Sequence, residues 1–205
     1  MSIKKAREED EIQAIIDAKE SLKVLSEEEA AFCSPFIKAI KVEKGKLLLR
    51  EGQIARNYYS VYKGCVRKYC LKDGEEITTE FYTVGDSLSD DVSILKNIPT
   101  QLNWECAVDC IISVFPVEVE REMHKRFPRL ETLCRIEAEK RLGGYKQTVY
   151  SYQASTPEER YENLLETRPE LFNLVPLYHI ASYLGVKPES LSRMRKRLQI
   201  KIKSQ

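Results

Sequence analysis

No run of about 20 apolar residues occurs in the 205-residue chain, so no transmembrane helix and no membrane partner are expected. The first residues, "MSIKKAREEDEI", lack the apolar core of a signal peptide, and the expected location is the cytoplasm. Histidine is scarce. His124 and His179 both lie outside the region of short strands, which removes the ligands a metal-dependent β-barrel enzyme needs. No context supports a Ser-His-acid or Cys-His arrangement either, so no catalytic residues and no enzyme are expected. The six cysteines (33, 65, 70, 106, 110 and 134) include no CxxC pair. They read as free thiols, with no metal, iron–sulfur centre or other cofactor expected. Cys106 and Cys110 flank an expected turn and read as half-buried strand cysteines. Excess charge is missing too: 33 Lys and Arg against 32 Asp and Glu leave a net charge of +1, which alone names no acidic partner.

The distribution of that charge does. From Leu177 to Gln205 seven bases stand against one acid, Glu189, so the rest of the chain is mildly acidic. Apolar residues make up 42% of the chain, enough for a buried core. A short helix is expected at about Glu8–Lys19. A second is expected at "LSEEEAAF", where Ser26 and Glu29 make a capping box. From Lys46 to Pro116 the texture changes to short β-type runs between glycine turns: "KLLLR", "NYYSVY", "CVRKYCL" and "EEITTEFY". Asp73-Gly74 between two such runs is a hairpin signal. "LNWECAV" and "CIISVFPV" are expected to pair across Asp109. Many short strands at even spacing, with no helix between them, predict an antiparallel barrel or jelly roll.

After Pro116 the pattern turns helical. A short helix around Glu118–Arg126 leads to a long one starting near Pro128. Its apolar positions Ala138, Leu142, Tyr145, Val149 and Tyr152 are spaced 4, 3, 4, 3, a heptad seam. The plain alternative is a helix packed on its own barrel. A helix of about 25 residues spans more than about 35 Å, longer than a small barrel covers, so a homodimer seam is expected. Gly143-Gly144 interrupts it and allows either close helix approach or a bend. Thr156, Pro157 and Glu159 then open a new helix with a second capping box, which Arg168-Pro169 ends.

The last segment, "YHIASYLGVKPESLSRMRKRL", reads as two short helices around Gly185. Ile180, Ala181 and Leu184 share one face of the first. Lys187 caps the second, Pro188 takes its first turn, and Leu191, Met194 and Leu198 form its buried stripe. At 100° per residue the opposite face carries Glu189, Ser192, Arg193 and Lys196, with Ser190 and Arg197 on its flanks. Arg195 falls nearer the buried edge. This is the helix-turn-helix design, and the expected partner is double-stranded DNA. Arginine makes paired bonds to guanine in the major groove and glutamate accepts from cytosine. Lysine and serine hold phosphates. A solvated charged helix explains the bases but not Gly185, Pro188 and the matched apolar stripes.

Barrel, long helix and terminal helix-turn-helix, in this order, resemble the cyclic-AMP receptor protein / Fnr (Crp/Fnr) family of bacterial transcription regulators. The motif that carries the resemblance is "YLGVKPESLSRMRKRL". The resemblance implies an α+β fold: an N-terminal antiparallel β jelly roll with flanking helices, a long dimerisation helix, and a C-terminal all-α helix-turn-helix domain. The implied domains are a sensor at 1–126 (jelly roll about 42–117), the helix and hinge at 127–154, and the DNA-binding domain at 155–205. Glu189 and Arg193 inherit base-reading roles from the family's pattern. Pro188 stands where the family has its first arginine, so one base contact is expected to be lost. The family's β-hairpin wing has room here for at most a short strand or a frayed tail in "QIKIKSQ". RNA polymerase is a further candidate partner under the resemblance.

The sensor departs most. The family's nucleotide-binding form holds the ribose with a glutamate and the cyclic phosphate with an arginine. Here the corresponding positions fall on Ser89-Asp90 and near Thr100, with Gln101 beside it, and no arginine occurs from Lys68 to Glu120. A buried phosphate needs a cation and hydrogen bonds, so cyclic AMP is not the expected effector. Ser89, Asp90, Thr100 and Gln101 are the candidate pocket positions; an ordinary polar loop is the alternative. The barrel is expected to sense some other small molecule or to act only as a dimerisation scaffold. A cyclic-nucleotide-responsive regulator and a protein-binding scaffold remain the rival readings.

Overall fold

The computed structural model describes residues 25–203, and their side chains as far as 197. The helix expected at about Glu8–Lys19 and the side chain of Leu198 lie outside the described residues. The first described helix, α1 (Glu27–Cys33), starts at its capping box. Ser26 Oγ accepts from the Glu29 N–H at 3.3 Å, and the Glu29 carboxylate accepts from the Ser26 N–H at 2.7 Å. Two of the helix's unpaired amide groups are thereby satisfied.

Eight strands follow. They are β1 (Lys38–Val42), β2 (Leu47–Leu49), β3 (Asn57–Lys63), β4 (Val66–Lys72), β5 (Glu75–Tyr82), β6 (Ser87–Leu88), β7 (Asn103–Cys106) and β8 (Cys110–Pro116). They pair antiparallel into two four-stranded sheets, ordered β1-β8-β3-β6 and β2-β7-β4-β5. The inner faces meet around Trp104, which is fully buried and packs edge-to-face on Tyr59 with ring centroids 5.9 Å apart. Val61, Val66, Leu88 and Ile112 complete this core. Where strands alternate, the alternation aims these side chains inward: in β3, Tyr59 and Val61 are buried and their neighbours are not. The β4–β5 hairpin turns at Asp73 and Gly74, with φ of 53° and 83°, the two positive values a type I′ turn requires.

Three expectations about the barrel need correction. The expected hairpin across Asp109 does not form. β7 pairs with β2 and β4, whereas β8 pairs with β1 and β3 in the other sheet. Ala107–Asp109 carries the chain between layers, and the Ala107 N–H donates to the Cys65 carbonyl at 2.8 Å on the way. The strand region is also not free of helix: α2 (Asp91–Lys96) is inserted before β7, because the Asp90 carboxylate caps it by accepting from the Ser93 N–H. Cys106 and Cys110 are fully buried rather than half-buried, and all six cysteines are free thiols.

Beyond the barrel lie α3 (Val117–Arg126) and α4 (Pro128–Ala154), joined at Phe127. The 27-residue α4 runs unbroken through Gly143-Gly144. Then come α5 (Pro157–Thr167), α6 (Leu171–Leu174), α7 (Leu177–Tyr183) and α8 (Pro188–Lys203). Where at most a short strand or a frayed tail was expected, α8 continues as helix to Lys203, the last described residue. The terminal helices share one apolar core with the barrel: Cys65, Phe81 and Ala107 pack with Ile180, Ala181, Leu191 and Met194. Among the described residues no helix is long and apolar enough to cross a membrane.

Candidate nucleic-acid interface

The helix pair α7–α8 is built from the inside outward. Ile180, Ala181, Leu184, Leu191 and Met194 are all buried. The turn between the helices rests on Gly185, with φ of +68°. A Cβ there would lie 2.6 Å from Tyr152 Oη, so the position requires glycine for its dihedral and for its contact. The Lys187 carbonyl accepts from the N–H groups of Ser190 and Leu191 at 3.0 and 3.1 Å, so Lys187 starts α8 as its cap.

Packing of Leu191 and Met194 turns the opposite face of α8 to solvent. Lys187, Pro188, Glu189, Ser192, Arg193, Lys196 and Arg197 are exposed, and Ser190 and Arg195 are half-buried. Arg193 donates weakly to Ser190 Oγ at 3.4 Å. Arg197 is held by the Glu158 carboxylate of α5 and is not wholly available to a further anion. A groove lined by Pro157, Glu158, Val186, Ser190, Arg193 and Arg197 runs beside the helix.

The candidate pocket residues divide into two pairs. Asp90 and Thr100 are buried and face each other, Thr100 Oγ1 donating to the Asp90 carboxylate. Ser89 is half-exposed and donates to Asp91, and Gln101 is exposed. The loop's buried polar groups satisfy one another. Asp90 accepts from the Ser93 N–H at 3.0 Å, Ser93 Oγ accepts from the Ala55 N–H at 2.9 Å, and Thr100 Oγ1 accepts from the Leu102 N–H at 3.1 Å. No cation is among these partners. An inward carboxylate in this place disfavours a phosphate.

The seam positions Ala138, Leu142, Tyr145, Val149 and Tyr152 form one exposed stripe on α4. The four larger side chains are 54%, 49%, 55% and 45% exposed, unusual for apolar groups in one row. The two tyrosines also reach the same chain. Tyr145 Oη donates to Glu80 of β5 at 3.2 Å, and the Tyr152 ring lies 4.2 Å beneath the Arg160 guanidinium. Arg160 in turn donates to the carbonyls of Ser155 and Leu184 at 2.8 and 3.2 Å, tying the end of α4 to the α7–α8 turn.

Two features escaped the sequence reading. One is a polar seam between β5 and the terminal helices. Ser182 Oγ of α7 accepts from the Thr78 N–H at 2.9 Å on the free edge of β5 and donates to the Glu76 carbonyl at 3.1 Å. Arg168 donates to the Phe81 carbonyl at 2.9 Å and pairs with Asp86 at 3.2 Å. Only the tertiary fold brings these together. The other is a cluster of Glu120, His124 and Cys134, where no close ligand set was expected. Its one sequence signal is Glu120 and His124 at i and i+4 on one helix.

The cyclic nucleotide-binding domain family model matches residues 39–127, which spans β1 through α3. The Fumarate and nitrate reduction regulatory protein of Vibrio cholerae serotype O1 is 25% identical over 171 residues, covering 77% of this chain and 67% of the relative. Among solved structures, FixK2 from Bradyrhizobium japonicum aligns over 80% of this chain and 85% of its own, with a TM-score of 0.68 at 20% identity. The c-di-GMP responsive global regulator CLP from Xanthomonas campestris aligns over 86% and 93%, with a TM-score of 0.64 at 14% identity. At such identities these two likenesses concern the fold. Residues 39–127 thus resemble a cyclic nucleotide-binding domain, and the chain as a whole is similar to the Vibrio cholerae regulator and shares the fold of the two solved structures.

Proposed function

We propose that this protein is a dimeric, sequence-specific DNA-binding transcription regulator whose effector is not cyclic AMP. The observation that carries the reading is the division of α8: Leu191 and Met194 are buried while Glu189, Ser192, Arg193 and Lys196 face solvent. A helix held by one face with bases and small polar groups on the other fits a major groove. Glu189 and Arg193 read base edges in this scheme. Lys187, Ser190, Ser192 and Lys196 contact phosphates, and Arg197 joins them when it leaves Glu158. Pro188 offers no donor, so the preferred half-site differs from that of relatives with arginine there.

Two copies pair along Ala138–Tyr152 and present two copies of α8 to successive major grooves, one helical turn apart. A change of state in the barrel tilts α4 and re-spaces the reading heads. The Asp90–Thr100 contact supports an effector without a phosphate in that place. The test is selection of binding sites from a pool of random duplexes by the purified protein. A near-palindrome with half-sites one helical turn apart is expected. Recovery of no enriched sequence favours a scaffold that binds other proteins.

A further inference from the structure

The Glu120–His124–Cys134 cluster lies at the elbow between α3 and α4, on elements other than the reading helix and the Asp90 loop. One ligand atom from each of its residues lies within 4.8 Å of the others, and all three residues are half-buried. Glu120 and His124 sit one turn apart on α3, so both project the same way. Cys134 meets them from α4. Two neighbouring contacts decide what the cluster can hold.

The first is orientation. The Glu120 carboxylate accepts a hydrogen bond from Tyr58 Oη of β3, which fixes the carboxylate from behind. Outer partners of this kind aim the ligands of metal centres. The second is an unmet need. His124 Nε2 is buried and has no hydrogen-bond partner among the described residues, an arrangement that costs free energy unless something binds there.

We propose that Glu120, His124 and Cys134 form a three-ligand site for a borderline-soft divalent cation of the zinc class, with a fourth position open. The donor set selects the class. A thiolate disfavours magnesium and calcium, while one imidazole and one carboxylate are too hard for a copper(I) site built on sulfur. Tetrahedral zinc, with bonds of about 2.0–2.3 Å, needs ligand atoms about 3.4–3.6 Å apart. The ligand atoms, all within 4.8 Å of one another, reach that spacing by side-chain rotation on binding. A surface groove lined by Glu118, Arg121, Glu122, Lys125 and Glu131 opens at His124 and gives an ion a path in. Binding removes the thiol proton to solvent, so affinity rises with pH. The occupied site would join α3 to α4 just before the seam begins at Ala138.

Cobalt(II) is the probe, titrated into the metal-free full-length protein. The expected result is one equivalent per chain, with a thiolate-to-cobalt charge-transfer band that zinc displaces. Cys134→Ser abolishes the band and His124→Ala weakens binding at least about tenfold. Cys33→Ser, a buried neighbour outside the cluster, leaves both unchanged. Zinc should also protect Cys134 from alkylation in the wild-type protein, read by peptide mass spectrometry, which needs no variant to fold. Absence of the band in the wild type, its survival in Cys134→Ser, or full alkylation of Cys134 at saturating zinc overturns the proposal.

Discussion

Arg67 Nη1 lies 2.8 Å from His179 Nδ1, so a strand of the barrel grips the first helix of the terminal pair. The Arg67 side chain is only 2% exposed and also pairs with Glu76 at 2.5 Å and Glu105 at 2.6 Å. Burial, and then the Arg67 charge, lower the His179 pKa from 6.5 to about 4. The neutral imidazole accepts from the guanidinium; a protonated one would face it as a like charge.

The sign of the resulting pH dependence is fixed. Because the folded pKa lies below the unfolded one, the contribution of His179 is fully present above about pH 6.5 and is lost as pH falls toward 4. Thermal melting of the wild type should weaken across that window more steeply than melting of His179→Gln. Parallel curves would mean that His179 does not titrate as described.

Arg67→Met tests the same junction from the other side. It leaves Glu105 without its cation, and loss of one member of a buried pair costs about 3–5 kcal/mol. The partly exposed Glu76 and Glu105 place the expected value at the low end. Urea denaturation reads it, and a loss below about 1 kcal/mol would contradict the account.

The local parts of this fold were legible in the sequence. Both capping boxes, the Asp73-Gly74 turn, the Gly185 corner and the α4 stripe depend on neighbours a few residues away. What was not legible depends on distant partners. The choice of sheet for β7 and β8 turns on which strands compete for their edges, and no local pattern around Asp109 records it. The same holds for the interface. The outward set on α8 follows from helical phase, but the hold of Glu158 on Arg197 spans two helices. Asp90 was legible only as a candidate pocket position; its role as a helix cap and partner of Thr100 required the fold.

Asp90→Ala should destabilise the protein by about 1–2 kcal/mol, since it removes a helix cap and leaves the Thr100 hydroxyl without its acceptor. Cyclic AMP should not stabilise the wild type. A ligand at 100 times its Kd adds about 2.7 kcal/mol, so a clear rise in melting temperature with cyclic AMP would reverse the effector reading.

Leu142→Glu and Val149→Glu each place a charge in the middle of the α4 stripe. If two chains pair there, sedimentation should show a dimer for the wild type and monomer for the variants at the same concentration. Neither residue is buried in the single chain, so its own stability should change little.

Arg193→Ala should cost about 1–3 kcal/mol on the preferred site and relax its sequence preference. An equal loss on every duplex would assign Arg193 to phosphate rather than to a base.

The most direct test of DNA recognition is the salt dependence of binding to duplex DNA, followed by fluorescence anisotropy. The account predicts that log K falls linearly with log salt, by about 0.9 per phosphate contact. Lys196→Ala should make that slope shallower by about one unit. No binding to any duplex at low salt, or an affinity indifferent to salt, would contradict it.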